Sequence, residues 1–242
     1  MSNFIYHEPC PKCGSKNNLG VWADGHKWCF GCGYYVHSEV TSVKSAEHLL
    51  TSNAGYGEFS GIPDDFSYEI PKEALMWLKK YSLTNEEISE NHIGWSRSSQ
   101  MLVIPYFDND NKCFLWQGRY FPSRIPKVYT SGQPERALLF QKGHSLNGRC
   151  VLVEDSISAI KVTRVVTSSP LLGAHLSIHK AALLSRYFNH LTLWLDYDKM
   201  SSMVKFCERY KYLFKTIDYV CTKKDPKDVP DELIKELLNA KL

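Results

Sequence analysis

No run of the 242-residue sequence approaches the ~18–20 consecutive apolar residues of a membrane-spanning helix, so no membrane partner is expected. The opening residues MSNFIYHEPC hold no basic stretch followed by an apolar one, so no secretory signal is expected either. A phosphate-binding G-x-x-x-x-G-K-S/T loop is missing, which argues against an attached ATPase motor. So is a G-x-S-x-G elbow: Ser156 and Ser158 stand in EDSIS, outside any nucleophile motif. Internal repeats and low-complexity tracts are absent. Net charge is only +3, too little to name a partner by itself.

Charge is unevenly spread, however. Residues 91–150 carry eight Lys and Arg against three acids, while 41–90 carry four Lys against nine acids. A basic middle segment predicts a localised surface for a polyanion, against the alternative of random unevenness. Eight cysteines are present. Cys113, Cys150, Cys207 and Cys221 are scattered singly, as expected of a chain in a reducing cytoplasm, and the other four are not.

Those four lie in CPKCGSKNNLGVWADGHKWCFGC, from Cys10 to Cys32. Two C-x-x-C pairs fifteen residues apart predict a four-cysteine zinc ribbon, with Cys10, Cys13, Cys29 and Cys32 as ligands. Gly14, Gly31 and Gly33 stand where such turns need open backbone angles. Four thiolates on Zn²⁺ leave a formal −2, which Lys12, Lys27 and His26 could offset. The alternative is that DGHKW lines a surface for unpaired bases. His26, Trp28, Trp22 and Tyr34 would supply aromatic faces and Asp24 an acceptor. The residues alone leave the two readings open.

Four regions follow along the chain. Residues 1–37 form the ribbon and 38–60, rich in Ser, Thr, Gly and Asn, a flexible linker. From 61 to 148 comes a basic α+β region. Pro71 opens a helix in PKEALMWLKKYSL, Thr84 and Glu87 form a capping box, and QMLVIPYFDNDNKCFLWQGRY reads as a hairpin with an Asp-Asn turn. Residues 149–242 alternate strand and helix: CVLVE, SISAIKVTRVV, PLLGAH, SIHKAALLSRYFN, LTLWLD, KMSSMVKFCERYKYLF, TIDYVC and PDELIKELLNA. That alternation predicts an α/β layer with a mainly parallel sheet.

Ligands of such sheets gather at the carboxyl ends of the strands. Glu154 ends one strand, Asp196 and Asp198 another in D-x-D spacing, and Asp225 follows a third in KKDPKD. Acids often follow strands without purpose, but coincidence on three strand ends points to a site for Mg²⁺ or Mn²⁺. Spacing of i and i+2 would let Asp196 and Asp198 share one ion.

This order of parts resembles the primase half of phage primase–helicase proteins and, more distantly, bacterial replicative primases. The resemblance covers nearly the whole chain and identifies 149–242 as similar to a Toprim domain. It implies template-directed synthesis of short RNA primers from ribonucleoside triphosphates on single-stranded DNA, a nucleotidyltransferase activity. Glu154, Asp196, Asp198 and Asp225 fall on the family's catalytic metal positions. Arg119 and Lys127 fall on basic positions that handle template or nucleotide phosphate. Asp24 and His26, with neighbouring Trp28, fall on the template-reading surface, favouring that reading of DGHKW. The resemblance also implies a replicative helicase and a DNA polymerase as partners, and a bacterial host cytoplasm as the location. Two departures stand out. EDSIS replaces the usual E-G-x-x-D, and KMSS follows D-x-D where small residues are common. They leave a second reading, a catalytically degenerate single-strand binder or helicase recruiter.

Overall fold

The structure, a computed structural model, describes residues 4–22, 26–36, 59–108, 110–138, 148–173 and 175–239. Most of the expected linker, and Asp24 of the expected template surface, lie outside these. Contacts divide the chain into two units: 1–55 with 177–182, and 56–176 with 183–242.

In the first unit, β1 (Phe4–Glu8), β2 (Leu19–Trp22), β3 (Lys27–Cys29) and β4 (Tyr35–Val36) form one antiparallel sheet in chain order. Alternation in β2 decides its two faces. Leu19 and Val21 are buried, Leu19 beside Cys10 and Cys29. Gly20 lies under an indole: a Cβ there would come within 2.7 Å of the Trp22 ring. Pairing of Phe4 with Trp22, His7 and Trp28 with Gly20, and Tyr35 with Trp28 puts these rings on the Gly20 face.

The second unit holds two sheets. β5 (Phe66–Ser67), β6 (Gly94–Ser96), β7 (Met101–Phe107), β8 (Cys113–Tyr120) and β9 (Val128–Gly132) are antiparallel in chain order. The expected β7–β8 hairpin is present. Asp108 closes it by accepting from the backbone N–H groups of Asp110 and Lys112 at 3.0 and 2.9 Å. Between β5 and β6 come α1 (Lys72–Lys80), whose N-cap is Pro71, and α2 (Asn85–Glu90). The expected capping box opens α2: Thr84 Oγ1 accepts from Glu87 N, and Glu87 Oε2 from Thr84 N.

β10 (Arg149–Val153), β11 (Ser168–Pro170), β12 (His190–Trp194) and β13 (Thr216–Tyr219) pair in parallel, in the order β11-β10-β12-β13. β10 is buried throughout and β12 beyond His190, the signature of a parallel sheet covered on both faces. α3 (Ser156–Thr163), α4 (Ile178–Ser185), α5 (Met200–Tyr210) and α6 (Asp231–Asn239) complete the alternation. One expected strand is displaced. Of the expected PLLGAH only Pro170 belongs to β11, which starts at Ser168, and Leu172 at φ +57° breaks the backbone beyond it. The buried seal of Ser168 and Ser169 carries no apolar pattern that would announce a strand.

A shared apolar core joins the two sheets. Leu102, Ile104 and Leu115 of the antiparallel sheet pack with Leu78 of α1 and with Ile157 and Ile160 of α3. Arg164, at the end of α3, adds a polar tie. It makes two contacts with Glu87 at 2.6 and 2.7 Å, one with Asp231 at 2.8 Å, and one with the Ser82 carbonyl.

Candidate functional site

The cysteine quartet fits a metal. Cys10 Sγ lies 3.7 Å from Cys32 Sγ, and Cys13 Sγ 3.7 Å from Cys29 Sγ. A disulfide is far shorter, whereas four sulfurs at the usual Zn–S length of about 2.3 Å stand about 3.8 Å apart on a tetrahedron. The two turns share one design. Cys10 N and Cys29 N donate to the carbonyls five residues on, Ser15 and Tyr34, while Gly14 N and Gly33 N donate back to the cysteine carbonyls. Gly14 and Gly33 sit at φ +70° and +69°, as expected. Gly31 does not share that conformation. Its constraint is space, since a Cβ would meet the Asn18 amide at 2.9 Å. The Ser15 hydroxyl, 3.4 Å from Cys13 Sγ, favours the thiolate and pulls that pKa down to about 6. The cluster fits a structural zinc.

Lys27 is engaged elsewhere, with Glu8 at 2.7 Å. His26 stacks on Trp22, ring centroids 4.6 Å apart and planes 12° from parallel. Trp28 is 42% exposed and packs against Tyr35, itself 43% exposed, while Phe4 and Phe30 reach 50% and 62%. Rings this exposed offer flat apolar faces to a planar partner.

The second candidate site is a cavity of about 440 Å³ in the other unit. Glu154, Asp155, Asp196 and Lys227 line it from the carboxyl rim of the parallel sheet, Arg119 and Lys127 from the antiparallel side, and Trp77 and Tyr81 from α1 and its C-cap. The Arg119 guanidinium lies 4.5 Å from the Trp77 ring centre. Three buried polar atoms of these residues have no hydrogen-bond partner among the described residues: Glu154 Oε2, Asp196 Oδ1 and Arg119 Nε. Burial raises the Glu154 pKa to about 7, helped by the Asp196 charge. Asp196 rises to about 6, again through burial first and then Asp225, with Lys227 opposing.

Glu154, Asp196, Arg119 and Lys127 are thus gathered on one cavity. Asp198 and Asp225 do not line it. β12 ends at Trp194, so the two-residue alternation has lapsed before Asp196, and Asp198 sits in the 3₁₀ turn Tyr197–Lys199. Its side chain is 69% exposed and bound to Lys199 at 2.6 Å, which lowers its pKa. Asp225 binds Lys227 at 3.0 Å. Among the described residues, only the cysteines bring three or more His, Cys, Asp or Glu ligand atoms within 4.8 Å of one another.

Two site residues escaped the sequence reading. Asp155 stands where the resembling pattern has Gly, and it caps α3: Oδ1 accepts from Ile157 N and Ser158 N at 2.9 and 3.0 Å. Lys227 donates to Asp155 Oδ2 at 2.9 Å. Burial works against the Lys227 charge, but Asp155 and Asp225 outweigh it and hold the pKa above the ordinary lysine value. The only signal for Lys227 was its place two residues after Asp225 in KDPKD.

No protein-family model matches the chain. A curated relative, a DNA helicase/primase of Enterobacteria phage T3, is 49% identical over 93 residues, covering 33% of this chain and 16% of that protein. The chain therefore matches less than a fifth of that relative's length. Among solved structures, the primase fragment of the bacteriophage T7 primase–helicase protein is similar at TM-score 0.52 and 16% identity, covering 99% of this chain and 100% of that one. The Aquifex aeolicus primase, with its zinc-binding and RNA polymerase domains, is similar at TM-score 0.58 and 16% identity, covering 98% and 79%. Likeness at this identity establishes a fold in common with DNA primases.

Proposed function

We propose, from that common fold, that the chain is a DNA primase that copies single-stranded DNA into short RNA primers. One observation carries the reading most. Two buried, unpartnered carboxylate oxygens, on Glu154 and Asp196, share a cavity with Arg119 and Lys127. Carboxylates opposite cations are what a nucleoside triphosphate with a hard divalent ion requires, because oxygen ligands suit the ion and cations suit the phosphates.

Glu154 and Asp196 would hold Mg²⁺ or Mn²⁺, with Asp198 and Asp225 as further candidate ligands. When bound, that ion would draw charge from the triphosphate and lower the barrier to attack. Arg119, held against Trp77, and Lys127 would neutralise the remaining phosphate charge. The 3′-oxygen of one ribonucleotide attacks the α-phosphorus of the next, the bond to pyrophosphate breaks, and the hydroxyl proton needs an acceptor. Glu154, its pKa raised to about 7 by burial, is suited to that role or to ligation. The ribbon would present His26 and Trp28, with Asp24, to template bases, its zinc serving structure alone. A replicative helicase and a DNA polymerase are the partners this reading implies, in a bacterial host cytoplasm.

The experiment is incorporation of labelled ribonucleotides on single-stranded templates covering all trinucleotides, with Mg²⁺. Short RNA products are expected, and Asp196→Asn should reduce them at least about tenfold, as loss of a metal ligand does. A second reading, template binding without synthesis, draws on the pairing of Asp198 and Asp225 with lysines. Binding with no incorporation on any template would establish it and defeat the first.

A further inference from the structure

We propose that Lys227 is a resident cation: its ammonium fills the position between Asp155 and Asp225, so the acidic rim takes one divalent ion, at Glu154 and Asp196, and not two. The inference rests on the primase reading for the ion's role, but the arrangement that carries it is independent of any activity.

Four of the rim acids fall into two pairs of opposite character. Lys227 Nζ lies 2.9 Å from Asp155 Oδ2 and 3.0 Å from Asp225 Oδ2. No ammonium reaches Glu154 Oε2 or Asp196 Oδ1, which lack any partner among the described residues. A divalent ion sits about 2.0–2.6 Å from its oxygens, so one placed between Asp155 and Asp225 would have to evict the lysine.

Eviction is opposed at both ends of the lysine. Its backbone belongs to the 3₁₀ turn Pro226–Asp228, closed by Asp228 N donating to the Asp225 carbonyl at 2.8 Å. Its own carbonyl accepts from the buried Lys161 at 3.0 Å. The side chain is only 17% exposed. Asp155 has little to offer a metal: Oδ1 is spent on the α3 cap, and Oδ2 is shared by Lys227 and the Ser158 hydroxyl at 2.9 Å.

The test counts Mn²⁺ bound to the zinc-loaded full chain by the electron paramagnetic resonance signal of free Mn²⁺, without template or nucleotide. Wild type should bind one Mn²⁺. Lys227→Gln should bind two, Lys227→Arg one, and Lys227→Gln combined with Asp155→Asn one again. Two ions on wild type overturn the inference, whether or not any variant folds. So does none, and so does a folded Lys227→Gln that still binds one. Primer synthesis is not read in this count, so a chain that makes no primers yet follows this series defeats the primase reading alone.

Discussion

Cys10 and Cys29 are 2% and 0% exposed, whereas Cys13 and Cys32 face solvent. The buried pair belongs to the small apolar cluster with Leu19, so the thiol cluster and the core are one object at this scale. Cys29→Ser should therefore lose the zinc and unfold the ribbon together, since binding and folding free energy are shared in so small a unit. Full zinc content in that variant, by atomic absorption, would defeat the assignment. Glu154 and Asp196 make a prediction of opposite sense. Both folded pKa values are raised, so the folded state holds protons that the unfolded chain has released. That stability is complete below the ordinary values of 4.5 and 3.8, and is lost as pH rises to about 7 and about 6. Without added divalent ions, the melting temperature of the zinc-loaded protein should fall across this window and recover with Mg²⁺. Asp196→Asn removes one member of the repelling pair, so its melting temperature should fall less. Parallel pH profiles for variant and wild type would show that these two groups do not control the effect.

At the scale of elements, Arg164 links three helices. It ends α3, binds Glu87 in α2 through two nitrogens, and reaches Asp231 at the start of α6. Its side chain is 21% exposed and that of Glu87 17%, so removal would leave two carboxylates short of a partner. Arg164→Ala should cost about 2–3 kcal/mol and lower the melting temperature by roughly 5–10 °C. Arg164→Lys should recover less than half, because an ammonium cannot make the paired contact. Full recovery with lysine would reduce the tie to bulk charge. Such links mark where the sequence stops being legible. The α2 capping box could be read because Thr84 and Glu87 are three residues apart and meet within one turn. The β7–β8 hairpin could be read because Asp108 serves its own loop. Strand ends placed Glu154 and Asp196 on one rim through the parallel-sheet rule alone. Asp198 departed because the strand had already ended and a 3₁₀ turn follows a different period. Lys227 and Asp155 meet across 72 residues, and nothing local in EDSIS or KDPKD announces the pairing.

At the scale of the whole molecule, the chain carries two units with different chemistry: one offers aromatic rings and a four-cysteine cluster, the other carboxylates and cations. If the ribbon reads template bases, its contribution should depend on what else holds the template. During initiation nothing is paired to the template, so stacking on the ribbon rings is a large share of the binding. During extension of a preformed diribonucleotide, base pairing supplies an anchor that needs no ribbon. His26 is the residue to test, since it stacks on Trp22 and is not one of the four thiolate ligands. Loss of an aromatic contact to a base costs about 1–3 kcal/mol, so His26→Ala should slow initiation roughly five- to a hundredfold. Extension should stay within about twofold, and zinc content should match wild type. Equal losses in both assays would make the ribbon a general support for catalysis that reads no sequence. Zinc loss in the variant would instead place the His26–Trp22 stack in the structure of the ribbon, with the template surface elsewhere on it.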